Sequence, residues 1–309
     1  MSSRSIRIFA PATVANVGPG FDVLGLALEG IGDEIAMSLT SEQGIKIAIP
    51  ESDLPTDPKV NVAGVAIQAL LDDLNSSQGV DMTIYKKVLP GSGLGSSASS
   101  SAGAVFAVNE LLGRPFSKQE LVKFAMAGEA ASSGKAHADN VAPSLLGGFT
   151  LVRSYDPLDV ISLAYPDDLI VVVVHPQIEV KTSDSKKILR KDVPLETAIA
   201  QWGNLAGLVS GLASSDHSLI SRSLQDLIVE PVRSMLIPAF DQLKIAAKAG
   251  EALGCSISGS GPSVFALCNT MEQASQIGND FQQIYDDLAI EQQVHISKIN
   301  TEGAQIIKG

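Results

Sequence analysis

The sequence predicts a two-domain protein in which α-helices and β-strands are mixed in both halves. The chain has 309 residues, which exceeds the usual size of a single domain. Hydrophobic residues make up 45% of the chain, so it can bury a sizeable core. Runs rich in β-branched residues occur beside apolar runs of helical length. Together these three observations predict a globular protein of mixed secondary structure.

The first half begins with strands and continues with helices. Alternating runs of β-branched residues predict the strands, and apolar runs that end at Gly or Pro predict the helices. Ser117 and Glu120 have the spacing of a capping box at the start of the third helix. The predicted strands are residues 6–10, 34–40, 45–49, 80–88 and 147–152, and the predicted helices are residues 61–75, 99–112 and 118–132.

The second half follows a turn-rich stretch at residues 155–167. It opens at residues 169–175 with the aliphatic run of residues 169–174, which predicts a buried strand and is too short to span a bilayer. Helices are predicted at residues 195–214 and 238–252, and a strand-turn-strand unit at residues 254–267. We therefore expect an N-terminal domain at residues 1–160 and a C-terminal domain at residues 161–309.

Composition and charge exclude several classes of partner. The formal net charge is -12, without a dense cluster of basic residues, which argues against binding to nucleic acid or to an anionic membrane. Cys255 and Cys268 lie in apolar, strand-like surroundings with no Cys/His cluster. Because no signal-peptide pattern is present, they are predicted to be reduced core residues. We expect a cytoplasmic protein.

The most informative segment is the glycine- and serine-rich stretch LPGSGLGSSAS at residues 89–99. It lies between a predicted strand and a predicted helix, a context that a flexible linker does not need. A helix that follows glycines offers unpaired N–H groups and the positive end of its dipole. Such a helix start is a binding site for phosphate.

Two known phosphate-binding patterns fit this segment poorly. The spacing Gly93-x-Gly95-x-x-Ala98 matches a degenerate dinucleotide fingerprint, but an acidic residue at the end of a following strand is missing. A Walker loop is excluded because no Lys-Ser or Lys-Thr follows the last glycine. A nucleoside triphosphate held by backbone and hydroxyl groups remains.

Two further glycine clusters have a similar character. The first, at residues 10–25, includes Asn16 and Asp22 among turn residues, and the second lies at residues 254–267. Taken alone, the first is equally compatible with a loop whose Asn and Asp side chains bond their own backbone. The second, taken alone, is compatible with a glycine-rich hairpin. The order of the three glycine-rich segments in the chain distinguishes a shared functional role from these local structural roles.

Five segments, in this order, resemble the signature of the GHMP kinase superfamily. They are APATVANVGPGFDVLGLAL at residues 10–28, PGSGLGSSAS at residues 90–99, GKAHADNVAPSLLGGF at residues 134–149, EPVR at residues 230–233 and SGSGPSVFAL at residues 258–267. The match spans nearly the whole chain, and the full set is most similar to the branch that acts on L-homoserine. The resemblance implies an α+β fold, with a ribosomal-S5-like N-terminal domain and a ferredoxin-like C-terminal domain.

The resemblance implies that the glycine- and serine-rich loop holds the phosphates of ATP. Ser97, or its neighbour Ser96, and Glu129 resemble the Mg²⁺ partners, since magnesium bound to phosphates takes only one or two protein oxygens. Asn61 is similar to the adenine-side segment, and its alternative role is a helix N-cap. The implied ATP-binding residues are Asn61, Leu89, Pro90, Gly91, Ser92, Gly93, Leu94, Gly95, Ser96, Ser97, Ala98 and Ser99.

The resemblance also implies a site for an amino acid. Asp22 is expected to bind the ammonium group, and Arg233 the carboxylate through two parallel hydrogen bonds. Lys186, four residues after Thr182, stands where the family usually has Arg, and Arg190 lies one helical turn further on. The implied substrate-binding residues are Asn16, Asp22, His137, Asn140, Thr182, Lys186, Arg233 and Gly259, and the implied catalytic residues are Glu129, Asn140 and Arg233.

Asp139 and Asn140 are adjacent, and the sequence does not distinguish which of them faces the acceptor hydroxyl. We expect that Asn140 orients the hydroxyl and that no strong protein base is needed, because a loose transition state demands little of the nucleophile.

The implied reaction is ATP- and Mg²⁺-dependent phosphorylation of the side-chain hydroxyl of L-homoserine, the step that leads to threonine. Two alternatives stay open: a related kinase of another small alcohol, and a nucleotide-binding regulator without catalysis. The pair formed by Asp22 and Arg233 argues against the first alternative, and the presence of Glu129 against the second. A homodimer is compatible with the sequence, which carries no signal for the oligomeric state.

Overall fold

The structure, a computed structural model, describes residues 5–178 and 188–308. In these two ranges the chain forms two β-sheets with helices packed on them. The strands are β1 (Ser5–Ala15), β2 (Leu24–Thr40), β3 (Ile45–Ala48), β4 (Gly79–Tyr85), β5 (Phe149–Tyr155), β6 (Leu158–Leu163), β7 (Ile170–Pro176), β8 (Gly254–Ile257), β9 (Val264–Cys268), β10 (Gln292–Lys298) and β11 (Gln305–Ile306).

The helices follow the same chain order. A short 3-10 turn, Ser234–Leu236, directly follows the helix Glu230–Arg233. The helices are α1 (Val62–Asp73), α2 (Ser96–Leu111), α3 (Lys118–Ser133), α4 (Val141–Leu146), α5 (Leu195–Ser214), α6 (His217–Ser223), α7 (Glu230–Arg233), α8 (Phe240–Ala249) and α9 (Met271–Asp287).

The first sheet is centred on β2, which is long enough to pair with three other strands. It pairs with β1, β4 and β5, all antiparallel, while β3 runs parallel to β4. Helices α1 to α4 pack together, and α2 and α4 also contact β1 and β2. The core between them is formed by fully buried aliphatic side chains, among them Ile8, Ile35, Ile67, Leu70 and Val105.

The second sheet has the antiparallel order β10-β7-β9-β8. All seven residues of β7 are buried, which explains why its sequence is continuously aliphatic instead of alternating. One face packs on α8 and α9 through Leu243, Ile277 and Phe281. The other face joins Val171 and Phe265 to side chains of β2 and α5, so the two halves share one apolar cluster.

Several predicted elements are confirmed. Asn61 caps α1, since its side chain accepts hydrogen bonds from the amides of residues 63 and 64. Ser117 and Glu120 form the predicted capping box of α3. Cys255 and Cys268 are buried free cysteines. None of the helices in the described residues combines the length and hydrophobicity that crossing a bilayer requires.

Other boundaries differ from the prediction. Helix α2 starts at Ser96 instead of residue 99, because glycine and serine hide the helical signal in its first turn. Strand β4 ends at Tyr85 instead of residue 88, because the next residue turns inward to a buried ion pair. Helix α8 starts at Phe240, since Ala239 has a left-handed backbone. The predicted domain boundary at residue 160 stays a prediction.

Candidate active site

A cavity of about 440 Å³ brings together most of the residues singled out from the sequence. It is lined by side chains and backbone of both halves of the chain. The lining includes the predicted residues Asn16, Asp22, Asn61, Pro90, Gly91, Gly93, Gly95, Ser96, Ser97, Glu129, His137, Asn140, Arg233 and Gly259.

One wall of the cavity is the loop that joins β4 to α2. Gly91, Gly93 and Gly95 all have positive φ angles, of 75°, 81° and 67°, which favour glycine. A Cβ on Gly93 would lie 2.6 Å from the Ser258 carbonyl oxygen, and one on Gly95 would lie 2.1 Å from Thr13 Oγ1. Only glycine fits at these two positions. The chain can therefore turn tightly and present its backbone to the cavity.

Helix α2 points its N-terminus at this wall. Its N-cap Gly95 makes no side-chain capping bond, and the first turn holds no acidic residue. The first backbone N–H groups of a helix have no partner within the helix. They and the positive end of the helix dipole form a site for phosphate.

The remaining residues of the predicted phosphate loop do not line the cavity. Ser92, Leu94 and Ala98 are buried, and the Ser99 hydroxyl donates to Asp33 Oδ2 over 2.7 Å. Leu89 is 44% exposed. These five residues therefore contribute to the conformation of the loop and not to the lining of the cavity.

A buried ion pair stabilises the junction between this loop and α2. The sequence analysis did not predict it. Lys86 Nζ lies 2.5 Å from Asp33 Oδ2, and the Asp33 side chain is fully buried. Lys86 also donates to the Ser96 carbonyl (2.8 Å) and to Ser100 Oγ (3.1 Å). Burial lowers the pKa of Lys86, while Asp33 acts in the opposite direction. Lys86 lines the cavity as well, so it places a cation next to the start of α2.

One part of the cavity lining is apolar. Leu54, Pro55, Val60 and Ile84 line it next to Asn61. Asn61 is 6% exposed, and its Nδ2 donates to the Pro55 carbonyl over 2.7 Å. Its role as a helix cap and its position in the lining are therefore compatible. An apolar slot of this kind suits a flat aromatic ring.

A carboxylate and a hydroxyl face the cavity near the helix start. Glu129 of α3 is 7% exposed and lines the cavity, as does Ser97. The Ser96 hydroxyl instead donates a hydrogen bond to the Val88 carbonyl over 2.7 Å. No cluster of three His, Cys, Asp or Glu side chains suited to a metal occurs in the described ranges. One carboxylate with one hydroxyl fits a magnesium ion whose other ligands are phosphates and water.

Another part of the cavity lining comes from the loop between β1 and β2. Asn16 and Asp22 have positive φ angles of 71° and 59°. Asn16 Oδ1 accepts from the Asp22 amide at 3.0 Å, and its Nδ2 donates to the Gly259 carbonyl at 2.7 Å. His137 Nδ1 lies 3.5 Å from Asp22 Oδ1. The exposed part of the Asp22 carboxylate thus faces the cavity between fixed neighbours.

Arg233, the last residue of α7, lines the cavity together with Asn16 and Asp22. It is 3% exposed, its Nη1 donates to the Gly259 carbonyl over 3.1 Å, and its guanidinium lies 5.0 Å from the centre of the Phe21 ring. Asp226 holds the start of α7, because its carboxylate accepts the amides of Val229 and Glu230. Burial lowers the pKa of Arg233 and Asp22 opposes this, yet guanidinium stays protonated in proteins.

Asp139 and Asn140 have different surroundings. Asn140 Oδ1 accepts the Thr13 hydroxyl at 2.7 Å, so its amide nitrogen is left as a donor. Asp139 is 4% exposed, and its Oδ1 makes no hydrogen bond within residues 5–178 and 188–308. Burial, then the charges of Asp22 and Glu129, raise the pKa of Asp139 to about 7.

Two of the predicted substrate residues, Thr182 and Lys186, lie outside the described residues. Arg190 is described and exposed, and it does not line the cavity. The predicted contribution of this segment to the carboxylate site therefore stays a prediction.

Comparison with known proteins identifies the family. The profile of the GHMP kinases N terminal domain matches residues 61–148, and that of the GHMP kinases C terminal domain matches residues 208–287. A homoserine kinase of Chlorobium phaeobacteroides (strain BS1) is 43% identical over 319 residues, which cover 98% of this chain and 100% of that protein. The chain belongs to the homoserine kinase family. The expected α+β GHMP kinase fold is thereby confirmed.

Other homoserine kinases agree with this assignment. One from Methanococcus vannielii is 38% identical over 287 residues, covering 92% of this chain and 94% of that protein. The crystal structure of a homoserine kinase from Cytophaga hutchinsonii superposes with a TM-score of 0.96 at 49% identity, covering 99% of this chain and 98% of the other.

Sequence reasoning missed three residues of this homoserine kinase site. Lys86 and Ser100 line the cavity, and Asp33 joins them from β2. The available signal was a lysine, Lys86, that directly follows the strand β4 and lies shortly before the glycine- and serine-rich loop at residues 89–99. Asp33 gave no signal, because one acidic residue in a half-buried strand is usually solvated.

Proposed function

We propose that the protein transfers the γ-phosphoryl group of ATP to the side-chain hydroxyl of L-homoserine, which gives ADP and O-phospho-L-homoserine. The bond between the γ-phosphorus and the bridging oxygen breaks, the bond to the homoserine oxygen forms, and the hydroxyl proton is released. One observation carries the proposal. A single cavity is lined both by the open N-terminus of α2, which we call the nucleotide end, and by the pair Asp22 and Arg233, which we call the acceptor end.

At the nucleotide end, the residues of this chain position ATP. The phosphates lie on the N-terminus of α2, where main-chain N–H groups and the nearby Lys86 balance their negative charge. The adenine ring occupies the apolar slot next to Asn61. Phosphoryl transfer relies on such positioning and charge neutralisation more than on covalent help.

The residues present fit a magnesium ion, and Ser97 and Glu129 would hold it. When bound, the ion would supply positive charge that balances the negative charge of the phosphates during transfer. Ser97 is preferred over Ser96, whose hydroxyl is bonded to the Val88 carbonyl.

At the acceptor end, an amino acid is recognised by its two charges. The carboxylate of Asp22 pairs with the substrate ammonium, and the guanidinium of Arg233 binds the substrate carboxylate through its fork of donors. His137, 3.5 Å from Asp22, limits the orientation of that carboxylate. A neutral small alcohol has no ammonium or carboxylate to match Asp22 and Arg233, so it would form fewer charge-assisted hydrogen bonds at this end.

Asn140 orients the acceptor hydroxyl through its amide nitrogen. As a hydrogen-bond donor it contacts the hydroxyl oxygen and leaves a lone pair directed at the phosphorus. Asp139 lines the cavity as well, but its Oδ1 is buried and makes no hydrogen bond within the described residues, so we do not assign it the role of the base. The hydroxyl proton therefore leaves late, with the transferred phosphoryl group as its acceptor, as a loose transition state allows.

The test is a coupled ADP-release assay with L-homoserine, L-threonine, L-serine, mevalonate and galactose, each with and without Mg²⁺. Magnesium-dependent turnover that is far higher with L-homoserine than with the other four supports the proposal. Faster turnover of mevalonate or galactose would overturn the substrate assignment, and turnover without any divalent metal would overturn the magnesium assignment.

The roles of the two adjacent residues have their own test. We expect Asn140→Ala to lower kcat by roughly 10- to 100-fold, because an orienting hydrogen bond is lost. Asp139→Asn should keep kcat within a few-fold. The opposite result, full activity in Asn140→Ala and loss of several orders of magnitude in Asp139→Asn, would assign Asp139 as the base.

A further inference from the structure

We propose that Tyr155 is a positioning residue for the amino-acid end of the cavity, where it sets the orientation of Asp22. The inference rests on the proposed function, since it concerns the binding of the substrate ammonium. Tyr155 is the last residue of β5 and lies outside the five signature segments. Its hydroxyl donates to the Asp22 carbonyl over 2.7 Å and accepts from the Ala138 amide over 3.3 Å.

These two hydrogen bonds join loops from distant parts of the chain. Asp22 belongs to the loop after β1, and Ala138 lies between His137 and Asp139 in the segment before α4. The side chains of Asp22 and His137 are 3.5 Å apart. One hydroxyl group therefore fixes the distance between the two loops that supply the ammonium site.

Tyr155 completes the anchoring of the Asp22 main chain. The Asp22 amide donates to Asn16 Oδ1 at 3.0 Å, and the Asp22 carbonyl accepts from Tyr155. With φ at 59°, Asp22 adopts a left-handed backbone that a non-glycine residue rarely keeps unsupported. Both polar groups of its main chain are held by side chains, so loss of either bond lets the carboxylate reorient.

The chemistry of the phenol suits this role at every physiological pH. Burial, with a further contribution from the charge of Asp139, raises the pKa of Tyr155 well above its ordinary value. The group thus stays a neutral hydroxyl that can donate and accept at the same time. A phenylalanine ring would fill the same space and lose only these two bonds.

The expected result of Tyr155→Phe is an increase of about 5- to 10-fold in KM for L-homoserine, the equivalent of one neutral hydrogen bond. KM for ATP should change by less than about twofold, because Tyr155 contacts none of the loop that joins β4 to α2. A loss confined to one substrate distinguishes positioning from a general loss of structure, which thermal unfolding of the same variant monitors.

Tyr165→Phe is the matched control. The Tyr165 ring packs on Phe149 with centroids 5.3 Å apart, and its hydroxyl makes no hydrogen bond within the described residues. Both kinetic constants should stay at the wild-type level. A comparable rise in KM for L-homoserine in this control would overturn the inference.

A double-variant cycle tests whether Tyr155 acts through Asp22. In an Asp22→Asn background, Tyr155→Phe should raise KM for L-homoserine by less than twofold, since the group that it positions no longer carries a charge. Equal effects of Tyr155→Phe in both backgrounds would overturn the inference, as would parallel rises in KM for both substrates. Wild-type protein that fails to phosphorylate L-homoserine would instead refute the proposed function, and this inference with it.

Discussion

The two ends of the active site are built in different ways. The nucleotide end comes mainly from one continuous stretch, β4, the glycine-rich loop and α2, and it presents main-chain N–H groups. The acceptor end is assembled from side chains at residues 16–22, 137–140 and 233, which are far apart in the chain. A binding surface made of backbone is encoded locally, whereas one made of side chains depends on how distant segments meet.

The two ends also differ in how their charges are balanced. Behind the nucleotide end, Lys86 and Asp33 form a compact buried pair with hydroxyl and amide partners. At the acceptor end, burial together with the charges of Asp22 and of the neighbouring Glu129 raises the pKa of Asp139 to about 7. We therefore expect substitutions at the first end to change mainly stability or kcat, and those at the second to change pH dependence and substrate affinity.

The largest expected effect is on the buried pair. Lys86→Met leaves the Asp33 carboxylate buried without its cation, so the free energy of unfolding should fall by about 3–5 kcal/mol. Urea unfolding measures this value. Lys87→Met is the control, because Lys87 pairs with Glu34 and is 60% exposed. That variant should lose less than about 1 kcal/mol. Equal losses in the two variants would show that the buried pair of Lys86 and Asp33 contributes no more to stability than the exposed pair of Lys87 and Glu34.

The next effect is on the pH dependence of stability. The unfolded chain ionises Asp139 near its usual pKa of 3.8, whereas the folded chain does so near 7. A raised acid pKa means that folding holds the proton more tightly. The stability contribution of this group is therefore lost progressively as pH rises from 4 to 7. Asp139→Asn should remove this loss.

The gap in unfolding free energy between Asp139→Asn and the wild type should be near zero at pH 4. It should grow as pH rises from 4 to about 7, reaching on the order of a few kcal/mol, and then level off. Denaturant unfolding at pH 4, 5.5, 7 and 8.5 measures it. An exposed carboxyl such as Asp241 on α8 provides the control variant, Asp241→Asn. A gap that is independent of pH would contradict the assigned burial of Asp139.

A third effect tests the nucleotide end in catalysis. Glu129→Gln keeps the shape of the side chain but removes the charge proposed to hold magnesium. We expect kcat to fall by about 10²- to 10³-fold, equivalent to about 3–4 kcal/mol. The Mg²⁺ concentration for half-maximal rate should rise as well. Glu120→Gln, on the same helix but in the capping box, should stay within twofold of the wild type. If Glu129→Gln retained the wild-type magnesium dependence, another group would hold the metal.

The smallest effect concerns the acceptor end. Arg233→Lys retains the charge and loses the two-pronged geometry for a carboxylate. KM for L-homoserine should rise by about 10- to 100-fold, while KM for ATP should change little. Steady-state kinetics with each substrate varied in turn measures both. Arg222→Lys, on α6 and bonded only to Ser218 among the described residues, should be silent. A rise in KM for ATP alone would place Arg233 at the nucleotide end.

The sequence predicted the nucleotide end more fully than the acceptor end. The strand, the glycines and the helix at residues 80–112 have local patterns, because positive φ angles and an uncapped helix start both depend on neighbouring residues. Helix α9 was missed, since its polar sequence hides the apolar stripe at Ala274, Ile277, Phe281 and Tyr285.

At the acceptor end, single residues had no local signal of their contacts. Asn16 and Gly259 are 243 positions apart in the chain and share a hydrogen bond. Asp33 and Tyr155 were absent from the prediction for the same reason, because their partners lie in other segments. Only the resemblance to a family connected these distant residues in advance, and the structure was needed to show which atoms meet.

The pairing of β11 with β1 also has a consequence for the order of synthesis. Strand β1 is synthesised well before β11, because Ile8 and its partner Ile306 lie far apart in the chain. At roughly 5–20 residues per second, tens of seconds pass before the ribosome reaches the residues that cover this edge. During that interval the nascent chain presents an unpaired strand edge, a template for contact with other chains. Protection of this edge of β1 until β11 has been synthesised therefore favours correct folding in the cell.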